Sequence, residues 1–194
     1  MTLIFFQINF DDRKISWPYK RPSMSLDGTD KDKEENIVVE KEDFSHKINS
    51  SAWRYEIGMA LGVSRIVWWN GGVPAGSNPD LRLARSAFTS KLPRDEMAAA
   101  DGGYQDGDVH FFTPFAKNTK VAFEKKWNRK LNLILSRHEM INNRTNFFHC
   151  MKYASRHGRQ KGSERHVLMF GALMNIIQLT LEEEPLPPLD FSNI

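Results

Sequence analysis

One cysteine, Cys150, stands in 194 residues, so no disulfide can form within the chain. That fits a reducing compartment such as cytosol or nucleus. A lone thiol is expected as a small buried hydrophobe rather than a nucleophile. No run of about 18 apolar residues occurs, so no membrane span is expected. The apolar start Leu3-Ile4-Phe5-Phe6 is broken at once by Gln7 and by Asp11-Asp12-Arg13-Lys14. It has neither the basic lead nor the small-residue cleavage site of a signal peptide. No histidine pair shows zinc-type spacing with cysteine. The glycines at 71, 72 and 76 are not followed by the Gly-Lys-Ser/Thr of a phosphate loop. A Gly-x-Ser-x-Gly nucleophile motif is also missing.

Acids are scarce in one region. Residues 117–165 carry thirteen Lys/Arg against three Glu, whereas residues 1–116 carry fourteen Lys/Arg against seventeen Asp/Glu. The chain as a whole has a net charge of only +3. Such asymmetry points to a polyanion on one face, or to a solvated helix surface. Lys125, Lys126, Arg129 and Lys130 form the densest cationic stretch, with Arg156, His157, Arg159 and Lys161 as an extension. Hydrophobic residues make up 40% and charged residues 26%, so a folded domain with a sizeable core is expected.

Periodicity places the elements. Trp53, Tyr55, Ile57 and Met59 alternate and predict a strand to Leu61; Gly62 marks a turn and Arg65–Trp69 the partner strand. Trp68 and Trp69 would then face opposite sides, so at least one belongs to the core. Gly71-Gly72 and residues 74–79 read as a loop. Pro79 suits the first turn of a helix with Leu81, Ala84, Ala87 and Phe88 on one stripe, ending before Pro93. Met97–Ala100 reads as a short strand running into Asp101-Gly102-Gly103. The stretch from Lys120 to about Tyr153 lacks Gly and Pro and predicts a long helix with Leu131, Leu135, His138, Ile141 and Phe148 at helical spacing. His138, on that stripe, is expected to be packed and hydrogen-bonded. Residues 164–182 predict a last helix, and the Pro-rich tail is expected to be extended and partly disordered. The charged region 31–43 reads as an exposed loop. Strands leading into helices argue for an α/β class with a mixed central sheet flanked by helices.

Four acids stand apart from ordinary surface charge. Asp27 follows an apolar segment and precedes Gly28-Thr29; Asp101 follows Met97–Ala100 and precedes Gly102-Gly103. Both read as carboxylates at strand ends, where sites on open α/β sheets gather. Asp-Gly pairs are also common in simple turns. Asp80 opens a helix, and Glu139 lies at the border of an apolar stripe. Acids from separate segments can jointly hold two divalent ions, the arrangement that metal-assisted phosphodiester cleavage needs.

Ser25-Leu26-Asp27-Gly28-Thr29-Asp30, Phe44-Ser45-His46-Lys47 and Arg54-Tyr55-Glu56-Ile57-Gly58 resemble the front half of Harbinger-like DDE transposase domains. Ile66-Val67-Trp68, Pro74-Ala75-Gly76 and Asp80 resemble the next block. Ala100-Asp101-Gly102-Gly103-Tyr104 resembles the family's Asp-x-x-Tyr block, and Arg137-His138-Glu139 with Ile141-Asn142 and Arg144 the helix carrying the last acid. The ordered blocks span about residues 23–180. The resemblance implies an RNase H-like fold over residues 23–182, after a lead-in at 1–22 and before a tail at 183–194. It implies that Asp27 ends the first strand and Asp101 the fourth. Asp27, Asp101 and Glu139 would be catalytic and would bind Mg²⁺ or Mn²⁺, with Asp80 as a further ligand or as a helix-dipole partner. Asp30 would be an outer-shell or turn residue. The implied partner is DNA, contacted by Lys125, Lys126, Arg129, Lys130, Arg137 and Arg144, in the nucleus. Relatives often carry a basic residue seven positions after the catalytic Glu; here that position is Asn146. Only a short segment precedes Asp27, with no upstream helix-turn-helix, so site recognition would fall to a separate DNA-binding protein and a truncated or domesticated element is expected. The alternative is an inactive transposase-derived DNA-binding or protein-interaction domain.

Overall fold

A central strand with two different faces organises the molecule. In the computed structural model, which describes residues 8–33, 40–152 and 162–190, this strand is β3 (Ser50–Ala60). Its odd-numbered residues Tyr55, Ile57 and Met59 are buried in one apolar cluster, while Ala60 joins a second cluster. Before it come β1 (Met24–Asp32) and the short β2 (Phe44–Ser45); after it comes β4 (Ile66–Pro74). Helices α1 (Asp80–Ser86) and α2 (Phe88–Lys91) follow, then β5 (Ala98–Ala99) and β6 (Phe111–Phe112). The chain closes with α3 (Ala122–Asn146), α4 (His149–Lys152) and α5 (Gly162–Glu183). The expected α/β class and mixed sheet are present. Among the described residues six strands form one sheet in the order β2-β3-β1-β5-β6, with β4 also paired to β3. β3 runs antiparallel to β1 and β4, whereas β5 and β6 run parallel to β1.

Both faces of this sheet are covered. Phe170, Leu173, Met174 and Ile177 of α5 and Ile141 of α3 pack on Tyr55, Ile57 and Met59. Tyr55 stacks on Phe170 with ring centroids 3.8 Å apart, and its hydroxyl lies 2.5 Å from His166 Nδ1. On the other face Phe88 of α2 packs with Met24, Leu26, Val67 and Phe111. Trp68 meets Phe88 on this side, and Trp69 meets Phe170 on the opposite one, as alternation along a strand requires. A 3₁₀ turn at Phe10–Lys14 is held by a buried fork in which Arg13 Nε and Nη2 donate to Glu96 at 2.7 and 3.0 Å.

Several segments depart from the pattern. β1 does not end at Asp27 but continues to Asp32, pairing Lys31 with Trp53 and Asp32 with Ala52. The expected loop at 31–43 is therefore strand at its start, and Asp43 is buried; residues 34–39 lie outside the described residues. β4 runs on through Gly71-Gly72 to Pro74, with a register shift near Tyr55. At Gly71, φ is +128° and a Cβ would stand 2.4 Å from Arg54 O, so this bulge requires glycine. The helix after Pro79 breaks at Ala87 (φ −147°, ψ −48°) into α1 and α2. The long helix stops at Asn146, and Cys150 in α4 is exposed rather than buried. The tail is anchored at Leu186, which is buried and whose carbonyl accepts from Ser64 Oγ, while residues 187, 188 and 190 are exposed and 191–194 lie outside the described residues. No helix among the described residues is long and apolar enough to cross a membrane.

Arg137 was expected on a DNA-facing surface. It is 5% exposed, and its guanidinium donates to the carbonyls of Ala60, Leu61 and Val63 and to Ser64 Oγ. It staples the β3–β4 turn to α3, because that turn leaves carbonyls with no strand partner. Arg137→Met should lower the unfolding free energy by about 2–4 kcal/mol, since buried carbonyls lose their donor. Urea denaturation would read this; an unchanged midpoint together with lost DNA affinity would instead restore a surface role.

Candidate active site

The site begins where β5 stops. β5 pairs with β1 only as far as Ala99 opposite Ser25, so beyond that point this edge of β1 has no strand neighbour among the described residues. Asp27 lies on this edge, and its Oδ1 accepts from Gly28 N–H at 2.8 Å. Asp101 follows β5 by two residues and opens a 3₁₀ turn at Gly102–Tyr104, where its Oδ1 accepts from Gly103 N–H at 2.8 Å. Asp80 arrives from the opposite direction as the first residue of α1 and is 8% exposed. Its carboxylate presses on two glycines. A Cβ on Gly28 would lie 2.3 Å from Asp80 Oδ1, and one on Gly103 would lie 3.1 Å from both Asp80 Oδ2 and Asp101 Oδ1. Three aspartates from separate segments thus converge around Gly28 and Gly103.

Crowding shows in the protonation equilibrium. Burial, reinforced by the charges of Asp101 and Asp80 against Lys47 and the Gly28 N–H, pushes Asp27 up to about 6. Asp80 is neutralised from two sides, by Lys47 Nζ at 3.1 Å and Arg54 Nε at 3.6 Å. Pro79 is the N-cap of α1 and makes no side-chain cap bond; Asp80 adds acidic charge in the first turn. Asp30 is not a turn residue. It faces Arg54 directly across the ladder and accepts from its Nε and Nη2 at 2.8 Å each, and Ser45 Oγ also donates to it. Burial opposes the Asp30 charge, yet these hydrogen bonds outweigh it and hold the carboxyl below its ordinary range.

Glu139 is exposed on α3. Its neighbour His138 turns inward, with Nε2 2.8 Å from Ser25 Oγ, and burial pushes that imidazole down to about 3, as a packed neutral histidine. Glu139 stands one turn from Leu135 and from Asn142, which lines the cleft beside Gly28 and Thr29. Among the described residues no three His, Cys, Asp or Glu side chains are arranged to hold a metal ion together. Asp27, Asp80 and Asp101 lie near one another without forming such a set, and Glu139, exposed on α3, is not among the charges that act on Asp27.

The basic residues divide as well. Lys125, Lys126 and Arg129 are exposed along α3 and Lys130 is half-buried. Arg144 instead donates to Thr180 Oγ1 at 2.9 Å and Glu184 O at 2.7 Å, tying α3 to the end of α5. Arg156, His157, Arg159 and Lys161 lie outside the described residues.

Two residues escaped the sequence reading of single acids. Glu56 is directly across from Gly28 and wholly buried; burial foremost pushes it up to about 7, against hydrogen bonds from Trp68 and Asn70. Tyr104 is also wholly buried, and its hydroxyl is pushed upward by burial and then by Asp80, Glu56, Asp27 and Asp101. Glu56 Oε2, Asp80 Oδ1 and Tyr104 Oη have no hydrogen-bond partner among the described residues. The available signal was the even-numbered face of β3, where Arg54 and Glu56 alternate with Tyr55 and Ile57. A half-buried strand would turn such residues to solvent, but here both faces of the sheet are covered.

Asp27 and Glu56 both hold the proton more tightly when folded. Each therefore costs stability above its folded pKa, and the cost fades as pH falls through that value toward the ordinary carboxylate range. Glu56→Gln should raise the unfolding free energy near pH 8 by about 2 kcal/mol and Asp27→Asn by about 1 kcal/mol. Both gains should be largely gone near pH 4, as thermal melts across this range would show; a pH-independent effect would refute the assignment. Compared with models of known protein families, with characterised proteins and with solved structures, the chain matches none.

Proposed function

We propose that this protein is a DDE transposase-type domain of RNase H-like fold that cleaves DNA and joins strands with the help of divalent metal ions. The observation that carries the reading is the convergence of Asp27, Asp80 and Asp101 at the edge of β1 beyond its pairing with β5. Like charges held together at a cost are a preparation for a cation. The blocks that resemble the family also contribute Ser45, Lys47, Arg54 and Glu56 to the same neighbourhood. The mixed sheet, with β5 and β6 parallel to β1, supports the fold assignment.

Two carboxylates, completed by water and phosphate oxygens, suit Mg²⁺ or Mn²⁺. Asp27 and Asp101 are the pair that would hold the ion, with Asp80 assisting; Glu139, exposed on α3, would have to turn toward them to complete the set. Such an ion activates the attacking oxygen and stabilises the leaving one. The protein's own groups do the rest. Arg54 and Lys47 fix Asp80 and keep the acids together. Lys125, Lys126 and Arg129 neutralise DNA phosphates without reading sequence. Site recognition would belong to a separate DNA-binding protein, and the work to the nucleus.

In Mg²⁺-dependent nicking assays Asp27→Asn and Glu139→Gln should each cost at least about 100-fold in rate. Intact nicking in both variants would overturn the reading. A second reading, an inactive transposase-derived DNA-binding or protein-interaction domain, is favoured by Lys47, whose ammonium already sits 3.1 Å from Asp80. Calorimetric titration with Mn²⁺ separates the two: uptake that vanishes in Asp101→Ala supports the enzyme, and no uptake by folded protein supports the inactive domain.

A further inference from the structure

Between β1 and α3 lies a cleft of about 410 Å³ whose lining includes Thr29, Lys31, Asp32, Lys47, Asn142 and Asn146. Lys31 is its unusual member. The residue is only 4% exposed, yet its ammonium donates to neutral oxygens: Thr145 Oγ1 at 2.5 Å and Asn146 Oδ1 at 3.1 Å. Among the described residues no carboxylate lies within ion-pair distance of it. The acids on either side are committed elsewhere. Asp30 is forked by Arg54, and Asp32 accepts from Ser50 Oγ at 2.6 Å. An ammonium carries three donors, and two are used here. A buried ammonium that feels Asp30 and Asp32 only at a distance and makes no direct ion pair is costly, and an incoming anion offsets that cost.

The surroundings fit a phosphate group. Lys47 stands at the rim, donating to Gly28 O at 3.0 Å. Asn142 and Asn146 are four residues apart on α3 and share its cleft-facing side. With its Oδ1 accepting from Lys31, Asn146 keeps its NH₂ as a donor. Lys31 and Asp27 are both odd-numbered residues of β1 and so share one face, about 13 Å apart along the strand. A nucleic-acid strand laid along β1 would bring one phosphate to the acids and another to Lys31.

We infer that this cleft seats a backbone phosphate of the DNA strand that lies over Asp27 and Asp101, with Lys31 as its central cation and Asn142 and Asn146 as neutral donors. The choice of DNA rests on the cleavage reading above; the anion chemistry rests on the cleft alone.

The experiment is fluorescence anisotropy of a short single-stranded DNA oligonucleotide on the full chain. It is run in EDTA and in about 0.2 M salt, which weakens contacts with the exposed basic helix. Lys31→Met and Asn142→Asp should each weaken binding at least about tenfold. Inorganic phosphate should compete with the oligonucleotide and should raise the melting temperature of the wild type but not of Lys31→Met. Asn142→Asp leaves the Lys31 contacts in place and so tests the cleft even if Lys31→Met unfolds. Equal oligonucleotide affinity in wild type and Asn142→Asp would overturn the inference. So would a phosphate effect that depends on Lys31 while oligonucleotide binding does not, because the cleft would then take free phosphate only. Metal is excluded from the binding measurement, so Lys31-dependent binding by a protein that fails to nick DNA in the separate Mg²⁺ assay would remove the cleavage reading and leave the phosphate seat standing.

Discussion

Arg54 lies directly across the antiparallel ladder from Asp30, and its guanidinium reaches three groups on two segments. Nε and Nη2 grip Asp30 on β1, Nη1 donates to Asn78 O at 3.1 Å just before α1, and Asp80 lies 3.6 Å from Nε. A planar, permanently charged fork suits this position, since a lysine could not grip one carboxylate with two donors and still face a second. Without it, Asp30 would be left with the Ser45 hydroxyl and Asp80 with Lys47 alone to answer its charge. Much of the charge on the site side of the sheet is thus arranged around one cation.

The strength of this arrangement is also its tension. Arg54 and Lys47 between them answer Asp80, while Asp27 and Glu56 keep elevated proton affinity. Tyr104 adds a buried hydroxyl among four acids. Groups that titrate near neutrality within a few residues of an incompletely paired sheet edge are a common mark of a site shaped for chemistry rather than for stability. Farther along β1, Lys31 repeats the pattern with opposite sign: burial, against Asp32 and Asp30, pushes its ammonium down to about 8.

Local periodicity carried much of the fold. Trp53 to Met59 announced a strand with one apolar face, the Gly- and Pro-free stretch announced α3, and the inward turn of His138 followed from its place on the stripe. The nearness of Asp27 and Asp101 was read from two segments that each lead into an Asp-Gly pair, although β1 itself runs on past Asp27 to Asp32. What sequence could not reveal was satisfied at a distance. Asp27 to Asp32 looks like loop because it is polar, yet it is strand: Asp30 finds Arg54 twenty-four positions away, and Lys31 finds Thr145 at a separation of 114. Tertiary partners overrode local propensity. Arg137 and Arg144 read as surface charge for the same reason, since nothing local says that a guanidinium will be spent on distant carbonyls. Glu139 is the reverse case: its position beside the stripe suggested an inward side chain, but Ile134, His138 and Ile141 fill the buried side and leave it exposed.

β5 is only two residues long, and that brevity shapes the molecule's behaviour. Had β5 continued alongside β1, its backbone would have zipped over Gly28 and shut Asp27 behind a second ladder. Ending early leaves amide groups of β1 without strand neighbours in the middle of a sheet, where cooperative pairing is normally most complete. The acid-bearing middle of β1 therefore lies where, among the described residues, strand pairing is incomplete. Incomplete pairing along that edge and local ease of opening are, in this fold, one and the same property.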